Sequence, residues 1–342
     1  MSVGKWQGRR SILLVTALTL AVLTVVIVTG ASSAQTNKQR TYDACQPGQD
    51  TITASRLPET VSLQRCPVGE RVIRDNGIGT VLPAPGQGVL VDALTVTGSQ
   101  ELAVTRHRDG TVELNHVGDE SQSEPEIDTA SSPGECSDGA NTDRVYAVKK
   151  PRAGGIHWYF NPRTTPDELA RRGALRAIRK GTANIMNTEN NCGLRNVIPR
   201  EVIFAYDGST RDRAQVGTGG VCTGNDKDTV VSFGRLPASA LAVTCTVWSP
   251  ESGYDRVHWS DIMINKTNYN WTTRPEARSC RGKGEYDLAS TVTHERGHTF
   301  GLGHVSESHH GKLTMSDRSE GPCQSSERSL GRGDVRGLAR KY

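Results

Sequence analysis

The chain holds 342 residues, with 41 Lys and Arg against 37 Asp and Glu and a formal charge of +4. Lys5, Arg9 and Arg10 supply three of those charges, so everything beyond them is near +1, which excludes a protein built around a strongly basic nucleic-acid face. The length allows two domains.

Met1 to Arg10 carries no acid, and Ile12 to Val28 is a 17-residue run of Ile, Leu, Val, Ala and Thr. Ser32-Ser33-Ala34 then offers small residues at a cleavage position. Residues 1–34 read as a signal peptide or an N-terminal membrane anchor through 12–28. Either reading exports the chain beyond Ala34, so an extracellular protein is expected, secreted or anchored at the outer face of the cell membrane. Residues 35–133 hold 8 basic and 14 acidic side chains, and 134–342 hold 30 and 23. Two solvated surfaces of opposite sign account for this split, as does an acidic segment docking on a basic one. Eight cysteines behind an export leader suggest disulfides. The sequential pairing is expected: 45–66, 136–192, 222–245 and 280–323.

Residues 35–117 read as a small β-rich accessory domain or pro-domain. Gly88–Thr97 is a strand candidate. Leu102–Arg106 and Thr111–Asn115 flank His107-Arg108-Asp109-Gly110, a hairpin with Asp-Gly at its tip. His107 and His116 are isolated and read as loop or surface residues. Residues 118–135, acidic and with two prolines, read as a linker.

From 136 to 342 helix and strand signals mix. Gly155–Phe160 opens as a strand. Thr165-Pro166-Asp167-Glu168 has the order of a capping box: Thr at the N-cap, Pro at the first helical position, Glu at the third. Leu175, Ile178, Thr182 and Ile185 then fall on one helical face. Glu201–Tyr206, Thr229–Phe233, Leu241–Val247 and Asp261–Ile264 are strand candidates. His157 and His258 sit in strand contexts and read as structural. Asn265-Lys266-Thr267 and Asn270-Trp271-Thr272 fit the glycosylation acceptor pattern.

Asp287 is an N-cap candidate for a helix opening with Leu288-Ala289-Ser290-Thr291-Val292, whose Leu288 and Val292 would face the core. That helix carries His294-Glu295-Arg296-Gly297-His298-Thr299-Phe300-Gly301-Leu302-Gly303-His304. The pattern is H-E-x-x-H-x-x-G-x-x-H. Five fixed positions at roughly 5% usage each match by chance in a chain this long about once in 10,000. Two imidazoles four apart on a helix face one side and can grip one metal ion. Gly301 sits where a helix takes a left-handed closing residue, and His304 comes back to complete the set. Glu295 points elsewhere than His294 and is placed to exchange a proton with a water in the site.

This motif resembles that of the metzincin metallopeptidases, the matrixin-like branch in particular, which is marked by the long zinc motif followed by a methionine turn. Leu313-Thr314-Met315-Ser316 comes at a suitable distance after it, and the resemblance implies Met315 as a hydrophobic floor under the ligands. The closing Leu330–Tyr342 resembles the last helix of matrixin catalytic domains. Asp317 stands where some metzincins carry a tyrosine ligand, so no such ligand is implied. No Pro-Arg-Cys-Gly-type segment is present, and a structural Ca2+, as in animal matrixins, has no residue set that can be assigned. His309-His310, between His304 and Met315, reads as a solvent loop or a substrate contact.

The implied fold is α+β: a metzincin-like catalytic domain over 136–342, with a twisted mixed β-sheet, long helices, a zinc cleft and a Met turn, preceded by the small β-rich domain. In that family an edge strand above the cleft pairs with extended substrate, and Leu241–Val247 is the candidate here. The implied activity is zinc-dependent endopeptidase, with one catalytic Zn2+ on His294, His298 and His304 and with Glu295 as proton acceptor and donor. A polypeptide is the expected partner, and the protein is expected to be a monomer. The competing reading is a non-enzymatic cell-surface binding protein on a metzincin scaffold.

Overall fold

The computed structural model describes residues 51–54, 60–62, 71–73, 77–98, 100–115, 133–142, 155–224, 226–251 and 254–342. In chain order these form β1 (Thr51–Thr53), β2 (Thr60–Ser62), β3 (Arg71–Ile73), β4 (Gly79–Val81), β5 (Gln87–Thr95), β6 (Gln100–Arg106), β7 (Thr111–Asn115) and β8 (Ile156–Phe160). Then come α1 (Arg171–Met186), β9 (Phe204–Ser209), β10 (Val221–Cys222), β11 (Thr229–Gly234), β12 (Ala240–Glu251), β13 (Tyr254–Asn265) and β14 (Asn270–Thr272). The remainder is α2 (Arg278–Lys283), β15 (Glu285–Asp287), α3 (Leu288–Thr299), α4 (Glu307–His310) and α5 (Arg332–Lys341). Among these residues no helix is long and apolar enough to cross a membrane. The leader, 12–28 included, and Cys45 and Cys66 lie outside the described residues, as does most of the expected linker 118–135.

A nine-stranded mixed sheet runs in the order β2-β7-β6-β5-β12-β13-β11-β8-β9. Its first part is antiparallel, and β13, β11, β8 and β9 run parallel to one another. Alternation along each strand sorts side chains onto two faces. Leu90 and Leu94 of β5 and Ala242 of β12 join the core beneath α1 and α3. Val89, Val91 and Ala93 of β5 join Val243, Cys245 and Val247 of β12 in a second core on the opposite face. The polar members of the same registers, Asp92, Glu101 and Thr244, are buried too. Their parity places them on the α3 side.

The β-rich segment within 35–117 has its strands where the sequence put them, but β5 pairs with β12 along its length, from Thr95 opposite Ala240 to Gly88 opposite Trp248. β1, β3 and β4 of the segment join β10 in a separate four-stranded sheet, while its β2, β5, β6 and β7 extend the sheet of the downstream region. For the same reason Leu241–Val247 is no edge: β12 has β5 on one side and β13 on the other. Its backbone groups are satisfied within the chain.

The expected capping box does not form: among the described residues the Thr165 hydroxyl meets no partner. Leu169 donates to the Pro166 carbonyl in a single turn, the chain then exits extended at Ala170, and α1 begins only at Arg171. Ile178, Thr182 and Ile185 lie on its buried face, in agreement with their spacing. α1 lies tight on α3 at Gly181. A Cβ there would come within 2.8 Å of Val292 Cβ and 2.9 Å of the Ala289 carbonyl oxygen. Gly181→Ala is expected to lower stability by about 1–3 kcal/mol, read as a reduced urea midpoint at unchanged slope, because overpacking against backbone has no cheap relaxation.

Disulfides join Cys136–Cys192, Cys222–Cys245 and Cys280–Cys323, the sequential pairing for these six. Such bonds are consistent with an extracellular protein. Asn265 is fully buried and its amide donates to the Pro237 and Ala240 carbonyls, so it is no glycan acceptor in the folded chain; Asn270 is exposed.

Candidate metal centre

α3 begins at Asp287, whose carboxylate accepts from the Ser290 amide (2.9 Å) and hydroxyl (2.8 Å) and is gripped on both oxygens by Arg328 (2.6 Å each). With the helix end anchored there, the 3.6-residue period alone fixes where His294, Glu295 and His298 point. The helix stops after Thr299, and Gly301 takes the left-handed conformation (φ 89°) that reverses the chain. The Gly303 amide then donates to the Thr142 carbonyl (2.7 Å), steadying the turn into His304.

The three imidazoles converge. His294 Nε2 lies 3.0 Å from His304 Nε2 and 3.1 Å from His298 Nε2. His294 Nδ1 donates to the Thr314 carbonyl (2.7 Å) and His298 Nδ1 to the Leu302 carbonyl (2.9 Å). A carbonyl can only accept, so on both rings Nδ1 carries the proton and the Nε2 lone pair faces the shared centre. Burial pulls His294 down to about 3, with His304 adding to it, and holds His298 well below the usual imidazole range. Neutral imidazoles are the ligating form.

Glu295 sits beside them, fully buried. One carboxyl oxygen accepts from the Thr244 hydroxyl of β12, and the Leu94 amide of β5 also donates to the group. Oε1 meets no donor. Burial pushes the Glu295 pKa up to about 8 against those bonds. Arg296, next along, turns to the other side of α3 and stacks on Trp158 (5.1 Å) and Phe204 (4.7 Å).

Met315 is fully buried beneath α3: a Cβ on Gly297 would stand 2.3 Å from its sulfur. The segment is held by Asp334 of α5, which accepts from the amides of Thr314 (2.9 Å), Met315 (3.4 Å) and Gly331 (2.9 Å). The Thr314 carbonyl that orients His294 is thus fixed from the C-terminal helix. Asp317 accepts from the Glu307 amide at the start of α4 (3.0 Å). His157 pairs with Asp207 and His258 with Ser249, both away from the centre; His310 meets Asp138, and His309 is exposed.

Two residues that the motif did not point to also reach the centre. Asp92 of β5 and Glu101 of β6 face each other across the hairpin ladder, both buried. Asp92 Oδ1 lies 3.5 Å from His298 Nδ1, and Glu101 Oε2 lies 3.5 Å from His304 Nδ1. Burial together with the neighbouring Glu101 and Glu295 pushes the Asp92 carboxyl well above the carboxylate range, and Asp92 and Glu101 share a side-chain hydrogen bond. The sequence does carry a signal for Asp92: one acid within Gly-Val-Leu-Val-Asp-Ala-Leu, on the same parity as Leu90 and Leu94. Three nitrogens about 3 Å apart, with buried carboxyl groups around them, suit a small divalent cation, which draws imidazole nitrogens to about 2.0–2.1 Å. A further group of close donors, Glu135 with Cys136 and Cys192, is no metal set because its thiols are joined in a disulfide.

No family model matches the chain, and no curated protein matches it.

Proposed function

We propose that the chain is a secreted or surface-tethered zinc endopeptidase of metzincin, matrixin-like type. The observation that carries this reading is the convergence of three Nε2 atoms beside a buried glutamate at the spacing H-E-x-x-H-x-x-G-x-x-H. Neutral imidazole ligands in a compact three-nitrogen set favour zinc over oxygen-seeking calcium or magnesium. His294, His298 and His304 would hold it, and it would supply Lewis acidity to a water and to the scissile carbonyl. The chain's own residues do the rest. Glu295 Oε1 takes a proton and returns it to the leaving amine, while Thr244 and the Leu94 amide keep the carboxyl from rotating. Met315 and Asp334 keep the ligand-bearing segments in register.

The centre is closed to solvent, with His294, Glu295 and His298 fully buried and His304 at 4% exposure. That one observation favours the second reading, a non-enzymatic binding protein on the same scaffold. The two are separated by digestion of casein with and without EDTA, together with N-terminal sequencing of whatever species is active. Expected is EDTA-sensitive cleavage restored by zinc; zinc-loaded protein that cleaves nothing at any stage of processing overturns the peptidase reading. A mature N-terminus beyond residue 133 would remove β5–β7 and free the edge of β12 for a peptide strand.

A further inference from the structure

We propose that Asp92 and Glu101, from the β5–β6 hairpin, belong to the metal centre of the intact chain: they hold the imidazoles of His298 and His304 and balance the charge of the cation. This inference rests on the zinc reading and adds residues that lie nearly 200 positions upstream of the motif.

The first support is cost. A carboxylate in an apolar core is expensive unless something positive compensates it. Asp92 lies on the α3 face of β5 between Leu90 and Leu94, both fully buried, and its polar neighbours there are Glu101 across the ladder and His298, whose Nδ1 is 3.5 Å away. Arg296, the cation carried by α3 itself, stacks on Trp158 and Phe204 instead. A divalent ion on the facing imidazoles compensates Asp92 and explains why an acid stands there.

The second support is orientation. The rings of His294 and His298 are each set by a backbone carbonyl, from Thr314 and Leu302. Among the described residues His304 Nδ1 has no such carbonyl partner, and Glu101 at 3.5 Å is the acceptor facing it. When a cation draws electron density from Nε2, the Nδ1 proton becomes more acidic and a carboxylate behind it gains strength. That is the general role of carboxylates behind metal-bound histidines. Asp92 stands at the same distance from His298 Nδ1, which already serves Leu302, so it acts there through charge. By linkage, loading the centre tightens the hairpin, and the hairpin tightens the hold on the metal.

The test uses the full chain, stripped of metal and titrated with Co2+ and with Zn2+ against a competing chelator. Asp92→Asn and Glu101→Gln keep side-chain size and remove charge. Each is expected to weaken metal binding about 10- to 100-fold and to alter the visible cobalt band. In the metal-free chain the same substitutions should leave the urea midpoint unchanged, because each amide keeps the size and packing of the acid it replaces. A purely structural role would lower it. Wild-type affinity and spectrum in both variants overturn this inference and leave the zinc reading standing. Failure of the wild-type chain to bind either ion overturns both.

Discussion

Glu295→Gln is expected to lower kcat/KM of the active species by about 100- to 10,000-fold, mostly in kcat, with zinc content unchanged. The substitution is close to isosteric. The amide oxygen can still accept from the Thr244 hydroxyl and the Leu94 amide, so the side chain keeps its place on α3. What it loses is the ability to take a proton and give it back. Burial holds the wild-type carboxyl at about 8, within reach of neutral pH, which suits a group that must do both. None of the three imidazoles depends on Glu295 for its orientation; His294 and His298 look to carbonyls of Thr314 and Leu302. Metal analysis therefore separates loss of chemistry from loss of the site. Proteolysis near the wild-type rate in a zinc-replete Gln variant would remove Glu295 from the reaction.

The motif was legible because helical periodicity is local. Asp287, the four-residue spacing of His294 and His298, and Gly301 each dictate their geometry within a few residues, and the structure places them accordingly. The hairpin of β6 and β7 was legible for the same reason, with Gly110 at positive φ in its tip. What local pattern could not carry was strand partnership across some 150 residues. Leu241–Val247 is buried on both faces, a pattern common to internal strands and covered edges alike, and nothing within it names β5 as its neighbour. Misreading β12 as an edge hid Asp92 and Glu101, since only the β5–β12 ladder carries them over α3. Asn265 failed differently: a three-residue acceptor pattern says nothing about the core in which the amide is used.

Raising the pH through neutrality should destabilise the metal-free chain. Burial pushes Asp261 and Asp334 up to about 7 and Glu327 up to about 8, outweighing the backbone amides that each of them accepts from. In the unfolded chain such groups ionise near 4. An acid whose folded value is raised contributes stability fully below its unfolded value, and that contribution is lost as pH rises through the folded one. The buried imidazoles run the other way: His294 and His298 are depressed, so they cost stability only below about pH 6.5, where the unfolded rings take protons. Between about pH 6.5 and 8.5 the carboxyls alone remain, with Glu295 and Asp92 shifted in the same direction, and the metal-free chain should lose at least ~3 kcal/mol, a lower urea midpoint at each step. A metal-free midpoint that climbs above pH 6.5 would mean that the three buried acids enter the folded state already ionised, sustained by their amide donors, and that burial does not govern them.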